Sequence, residues 1–82
     1  MSWLEFSFKV HFDIVFEYKS TYYNIIFADS KVTLYKAPGI ELISYPVEEK
    51  EKILDYQFTE NNNLREILLS DEIDLIDYIE EP

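Results

Sequence analysis

Phe6-Ser7-Phe8-Lys9-Val10-His11-Phe12-Asp13-Ile14-Val15-Phe16-Glu17-Tyr18 carries a bulky apolar residue at every even position. The odd positions between them are Ser7, Lys9, His11, Asp13, Val15 and Glu17. Strict period two predicts a strand with one buried and one wet face. The run is long for a strand. Its first part also fits a helical turn, with Leu4 and Phe8 four apart and Glu5–Lys9 a favourable i, i+4 pair. The strand is therefore expected over about residues 10–18. Residues 2–9 stay open between strand and helix, the i, i+4 pairs favouring a short helix.

The pattern repeats outward from this run. Lys19-Ser20 is a short polar connection, and Thr21 to Phe27 resumes β-favouring chemistry. Asp29-Ser30 makes the next turn, and Lys31 to Lys36 alternates through Val32 and Leu34. Pro38-Gly39 suits the centre of a type II turn, after which Ile40 to Tyr45 reads as a fourth strand. Connections this short join antiparallel neighbours. Pro46 then suits a first helical position, with Glu48, Glu49 and Glu51 facing the positive end of the helix dipole and Glu48–Lys52 as an i, i+4 pair. The Asn61-Asn62-Asn63 break supplies an N-cap for a helix from Leu64 to Leu69. The expected fold is α+β in one domain, residues 1–82: a four-stranded antiparallel β-meander followed by short helices packed on one face.

Charge divides the chain. Residues 1–40 balance four acids with four bases, whereas residues 41–82 hold thirteen acids against Lys50, Lys52 and Arg65, which accounts for the whole net charge of −10. With 48% hydrophobic and 17% aromatic residues, the negative charge belongs to a folded body rather than a disordered acidic tail. There is no cysteine, which excludes disulfides, thiolate metal sites and sulfur nucleophiles. Net negative charge disfavours direct binding to nucleic acid or anionic membranes. The start, Met1-Ser2-Trp3-Leu4-Glu5, lacks a basic n-region and a long apolar stretch, so a cytoplasmic protein is expected.

The acids peak at Asp71-Glu72-Ile73-Asp74-Leu75-Ile76-Asp77-Tyr78-Ile79-Glu80-Glu81, six carboxylates with no base. On a helix, Asp71, Asp74, Asp77 and Glu81 would form one solvent-facing row, with Leu75, Ile76 and Ile79 turned inward. On a strand, that row would split between two faces. A carboxylate row can be a solubilising surface, or it can mimic a phosphate backbone and occupy the groove of a nucleic-acid-binding protein. As a calcium loop it fails, lacking a run of acids at alternate positions and a turn glycine. His11, the only histidine, would share a strand face with Asp13, a pairing known from acid–base sites, but no motif supplies a nucleophile beside it. Gly39 stands alone, so phosphate-cradling loops are absent. Tyr18, Tyr22, Tyr23, Tyr35 and Tyr45 read as sheet residues, some of them available to a protein partner.

The segment Phe12-Asp13-Ile14-Val15-Phe16-Glu17-Tyr18-Lys19-Ser20-Thr21-Tyr22-Tyr23-Asn24-Ile25 resembles the opening hairpin of small acidic proteins of Gram-positive bacteria and their phages. Leu64-Arg65-Glu66-Ile67 with its acidic-apolar sequel resembles the close of such proteins. Ser20 stands where that hairpin would carry glycine. The resemblance transfers no site residue; it implies a mobile-element context, in which small acidic inhibitors, anti-CRISPR proteins among them, block nucleic-acid-handling enzymes.

Together these readings predict a non-enzymatic inhibitor without cofactor or metal, whose partner is a basic, nucleic-acid-binding protein. The expected contact residues are Asp71, Asp74, Asp77, Glu80 and Glu81, then Glu48, Glu49 and Glu51. The alternative is an interaction or assembly module that binds through its aromatic sheet, with the acidic half serving solubility. A homodimer is compatible with either.

Overall fold

The computed structural model describes residues 2–80. Helix α1 (Trp3–Val10) takes the segment left open by the alternation. Its start is fixed by a capping box: Ser2 Oγ accepts from the Glu5 N–H at 3.2 Å, and Glu5 Oε1 accepts from the Ser2 N–H at 3.3 Å. Leu4, Ser7 and Phe8, at i, i+3 and i+4, form its buried face. His11, in the left-handed region at φ 58°, ends it. The first strand therefore begins at Ile14 and not near residue 10, because the helix takes Val10 and its cap takes His11.

Strands β1 (Ile14–Tyr18), β2 (Thr21–Ala28), β3 (Lys31–Lys36) and β4 (Ile40–Pro46) form the expected antiparallel meander. The turns at Lys19-Ser20 and Asp29-Ser30 hold both central residues at positive φ, between 48° and 63°, as a two-residue hairpin loop requires. The Gly39 N–H donates to the Lys36 carbonyl at 3.0 Å, so Ala37-Pro38, and not the expected Pro38-Gly39, stands at the centre of the next turn. A 3₁₀ helix (Val47–Asp55), kinked at Glu49, and helix α2 (Leu64–Leu68) follow. Pro46 ends β4 and caps that helix instead of entering it. The tighter 3₁₀ winding eclipses residues three apart, so Lys52 pairs with Glu49 and not with Glu48. Asn63 caps α2 through a second capping box, with Glu66.

The chain closes with β5 (Ile73–Asp77), which makes the sheet five-stranded in the order β4-β3-β2-β1-β5. This adds one strand to the expected four-stranded meander and takes the strand alternative left open for the acidic segment. Ser70 turns the chain into it, donating to the Ile67 carbonyl at 2.7 Å and accepting from the Glu72 N–H at 3.1 Å. β5 pairs antiparallel with β1, a free edge that its backbone satisfies.

Both helices and the 3₁₀ segment lie on one face of the sheet. The core there is built from Ile14 and Phe16 of β1, Ile25 of β2, Val32 and Leu34 of β3, and Leu4, Phe8, Ile53, Leu54, Leu64, Ile67 and Leu68 of the helical layer. Phe58 stands edge-on to Tyr18 and Tyr23, 5.3 and 4.9 Å between ring centroids. Trp3 packs edge-on against Tyr78 at 5.5 Å and fastens the chain after β5 to α1.

Candidate binding surface

Alternation along each strand sends every second side chain to the face opposite the helices. Register places these in rows. Glu41, Tyr35, Asn24, Val15 and Asp77 lie side by side across all five strands. Tyr22, Glu17 and Asp74 make a second row, and Ser44, Thr33 and Ile26 a third. Among the described residues no helix covers this face. Its centre is nevertheless packed. Thr33 is only 7% exposed and its hydroxyl lies 3.0 Å from that of Ser44. Asn24, Ile26 and Tyr35 line a depression that runs to Ala37, Pro38 and Gly39. Tyr22 is 49% exposed and Ile76, the extra residue in the β5 bulge, is 54% exposed.

The surface therefore has an aromatic and aliphatic centre with carboxylates at its margins: Glu41 on the β4 side, Glu17, Asp74 and Asp77 on the β5 side. The one base that alternation puts on the same strand face is Lys31, at the opposite end from Glu17 and Asp74. Glu17 and Asp74 are direct cross-strand partners, an unfavourable like-charge pair. Neither is in an ion pair among the described residues.

The sequence-predicted acids are dispersed by this fold. A strand cannot carry the single carboxylate row expected of a helix. Asp74 and Asp77 reach the open face, while Asp71 sits exposed in the bend before β5. Glu80 Oε1 accepts from the Tyr78 hydroxyl at 2.8 Å, which raises the Tyr78 pKa above its usual value. Glu81 lies outside the described residues. Glu48, Glu49 and Glu51 belong to the 3₁₀ helix, across the sheet from Asp74. Glu49 is engaged by Lys52, whose pKa it holds above the usual lysine value. The other bases of the acidic half are engaged on that layer as well. Arg65 Nη1 meets Asp55 Oδ1 at 2.9 Å, and Lys50 Nζ lies 3.0 Å from His11 Nε2.

His11 does not pair with Asp13. Its ring stacks on Phe27 with centroids 5.0 Å apart, while Asp13 Oδ1 accepts from the Phe27 N–H at 2.8 Å and extends the sheet by one bond. Among the described residues no group of His, Asp and Glu is arranged to hold a metal ion, and no helix is long and apolar enough to cross a membrane. Sequence reasoning missed Val15, Asn24, Ile26 and Glu41 as surface residues of one patch. The available signal was weak, since Tyr22, Asn24 and Ile26 look little more polar than Tyr23, Ile25 and Phe27 on the other face. No protein-family model, curated protein or solved structure matches the chain.

Proposed function

We propose that the protein is a non-enzymatic binding protein that uses the acid-margined open face of its sheet to cover a basic, nucleic-acid-binding surface of another protein. Inhibition is by steric and electrostatic competition, in the manner of the small acidic inhibitors of mobile elements. One observation carries the reading: an uncovered face that combines Tyr22, Ile26 and Tyr35 with Glu17, Glu41, Asp74 and Asp77, while the bases of the acidic half are engaged on the other side of the sheet. A partner contact with an apolar centre and a charged margin is the usual anatomy of a protein interface. The opposed acids favour an oppositely charged partner and fast, salt-sensitive association.

Affinity capture from bacterial lysate at about 0.1 M and about 0.5 M salt, with and without competing DNA, tests it. The expected catch is a nucleic-acid-binding protein released by both salt and DNA. Replacing Asp71, Asp74 and Asp77 together with Asn should leave the fold intact and reduce capture at low salt by about tenfold, taking a few-fold for each exposed charge. Undiminished capture by that folded variant removes these carboxylates from the mechanism.

The exposed Tyr22 and the Ile26–Tyr35 depression favour a second reading, an assembly module whose contact is apolar. Its signature is capture indifferent to salt and DNA but lost in Tyr22→Ala/Tyr35→Ala.

A further inference from the structure

The two edges of the sheet differ in what they offer a partner. The hydrogen-bonding phase follows from the turns. A two-residue turn makes Tyr18–Thr21 a hydrogen-bonded pair, so Glu17 and Val15 direct their peptide groups to β5. Alternation then leaves the peptide groups of Ile73 and Leu75 at the outer margin of β5. The same reasoning, anchored by the Val47 N–H bond to the Ser30 carbonyl at 2.9 Å, leaves those of Ser44 and Pro46 at the margin of β4. Pro46 has no N–H, and the chain turns at Val47 into the 3₁₀ helix that packs on β4. The β4 edge is thereby blunted.

The β5 edge is blunted only towards some partners. Ile73 and Leu75 point to the core layer but are half-buried, since among the described residues no strand lies beyond them. On the other side Asp74 and Asp77 face the open surface, and Asp74 already opposes Glu17. A second copy of this chain would bring acids against acids and is rejected by charge. A strand with Lys or Arg at alternate positions would neutralise Asp74, Asp77 and Glu17 while its intervening apolar residues extended the cover of Ile73 and Leu75.

We infer that β5 is a strand-addition site for a basic, alternating segment of the partner protein, which would become the sixth strand of the sheet. Backbone pairing supplies the attachment and the carboxylates supply the selection. This rests on the reading of the open face as a surface for a basic partner, and it specifies how that partner docks.

The test uses the full chain and a capped nine-residue peptide alternating Lys with Val and Thr, followed by fluorescence anisotropy at low salt and by residue-resolved amide exchange. The expected result is saturable binding, with exchange at Ile73 and Leu75 slowed by about tenfold or more as those amides gain partners. Asp74→Asn and Asp77→Asn should each weaken the peptide by about two- to fivefold, and Glu48→Gln, on the helical layer, should not. Binding without protection of Ile73 and Leu75 overturns strand addition and leaves the basic-partner reading standing. Protection at Ser44 overturns the choice of edge. Free protein that is already dimeric, with Ile73 and Leu75 protected, assigns the edge to a second copy and overturns the proposal. Absence of peptide binding at millimolar concentration overturns it too, while capture of a basic partner, measured separately, decides the underlying reading.

Discussion

The two faces of this sheet are made from the same strands, yet they differ in side chains and in cover. On one, Ile14, Phe16, Ile25, Val32 and Leu34 are fully buried under the helical layer. On the other, Val15, Asn24, Ile26 and Tyr35 are only half-buried and Tyr22 is exposed. The open face mixes Asn24, Thr33 and Ser44 with its apolar residues and has acids at its margins, and among the described residues no helix lies over it. The covered face contributes to stability, and on the proposed reading the open face is the one that meets a partner.

Core truncation should separate the faces most strongly. Phe16→Ala should cost about 3–5 kcal/mol, enough to unfold so small a domain, whereas Ile26→Ala on the open face should cost about 1 kcal/mol. Urea unfolding of both variants checks this, and equal losses would mean that the open face is as much a core as the other. The turns come next, because they affect both faces alike. Ser20 and Ser30 occupy left-handed conformations at φ 63° and 61° that glycine adopts without steric cost. Ser20→Gly and Ser30→Gly should each stabilise by about 1 kcal/mol, with partner capture unchanged.

A smaller effect bears on function more directly. Asp74→Asn removes the like-charge opposition with Glu17 and should stabilise the fold by about 0.2–1 kcal/mol while weakening capture of a basic partner. On the proposed reading, this cost to stability is offset by recognition of the partner. If the variant gained stability and kept full capture, the acids of the open face would be solubilising only.

The smallest effect concerns the covered face at high pH. Burial raises the Tyr23 pKa, and the neighbouring Tyr18 and Tyr56 hydroxyls add to it. A folded-state value above the unfolded one means that Tyr23 contributes its stability in full below the usual tyrosine value near ~10 and loses it as pH rises through the raised value. Thermal unfolding should therefore soften in strong alkali, and Tyr23→Phe should blunt that softening.

Much of the meander was legible because its signals are local. Alternation marks β1, the polar pairs Lys19-Ser20 and Asp29-Ser30 mark tight turns, and Asn63 three residues before Glu66 marks the start of α2. Val10 and Phe12 continue the period-two run, yet the strand expected over residues 10–18 begins only at Ile14, while residues 3–10 take the helix that the i, i+4 pairs favoured. Phe6, Phe8 and Val10 in period two fit a strand as well, but the Ser2–Glu5 capping box and the Leu4–Phe8 spacing belong to a helix, and the cap fixes where it starts. The candidate site was less legible. The acids were visible, but which of them share a face depends on the state of residues 73–77.

By itself the sequence determined the local chemistry: the strands of the meander, the caps, and an acidic second half whose charge no other segment could balance. Tertiary structure decided the rest. Ile73-Asp74-Leu75-Ile76-Asp77 satisfies a helical stripe and a bulged strand about equally well, and five residues carry too little intrinsic preference to choose. The free edge of β1 favours the strand, which pairs peptide groups that would otherwise be left to solvent. Once β5 is a strand, Asp74 and Asp77 join Glu17 on the open face, and Glu48, Glu49 and Glu51 are left on the other side of the sheet.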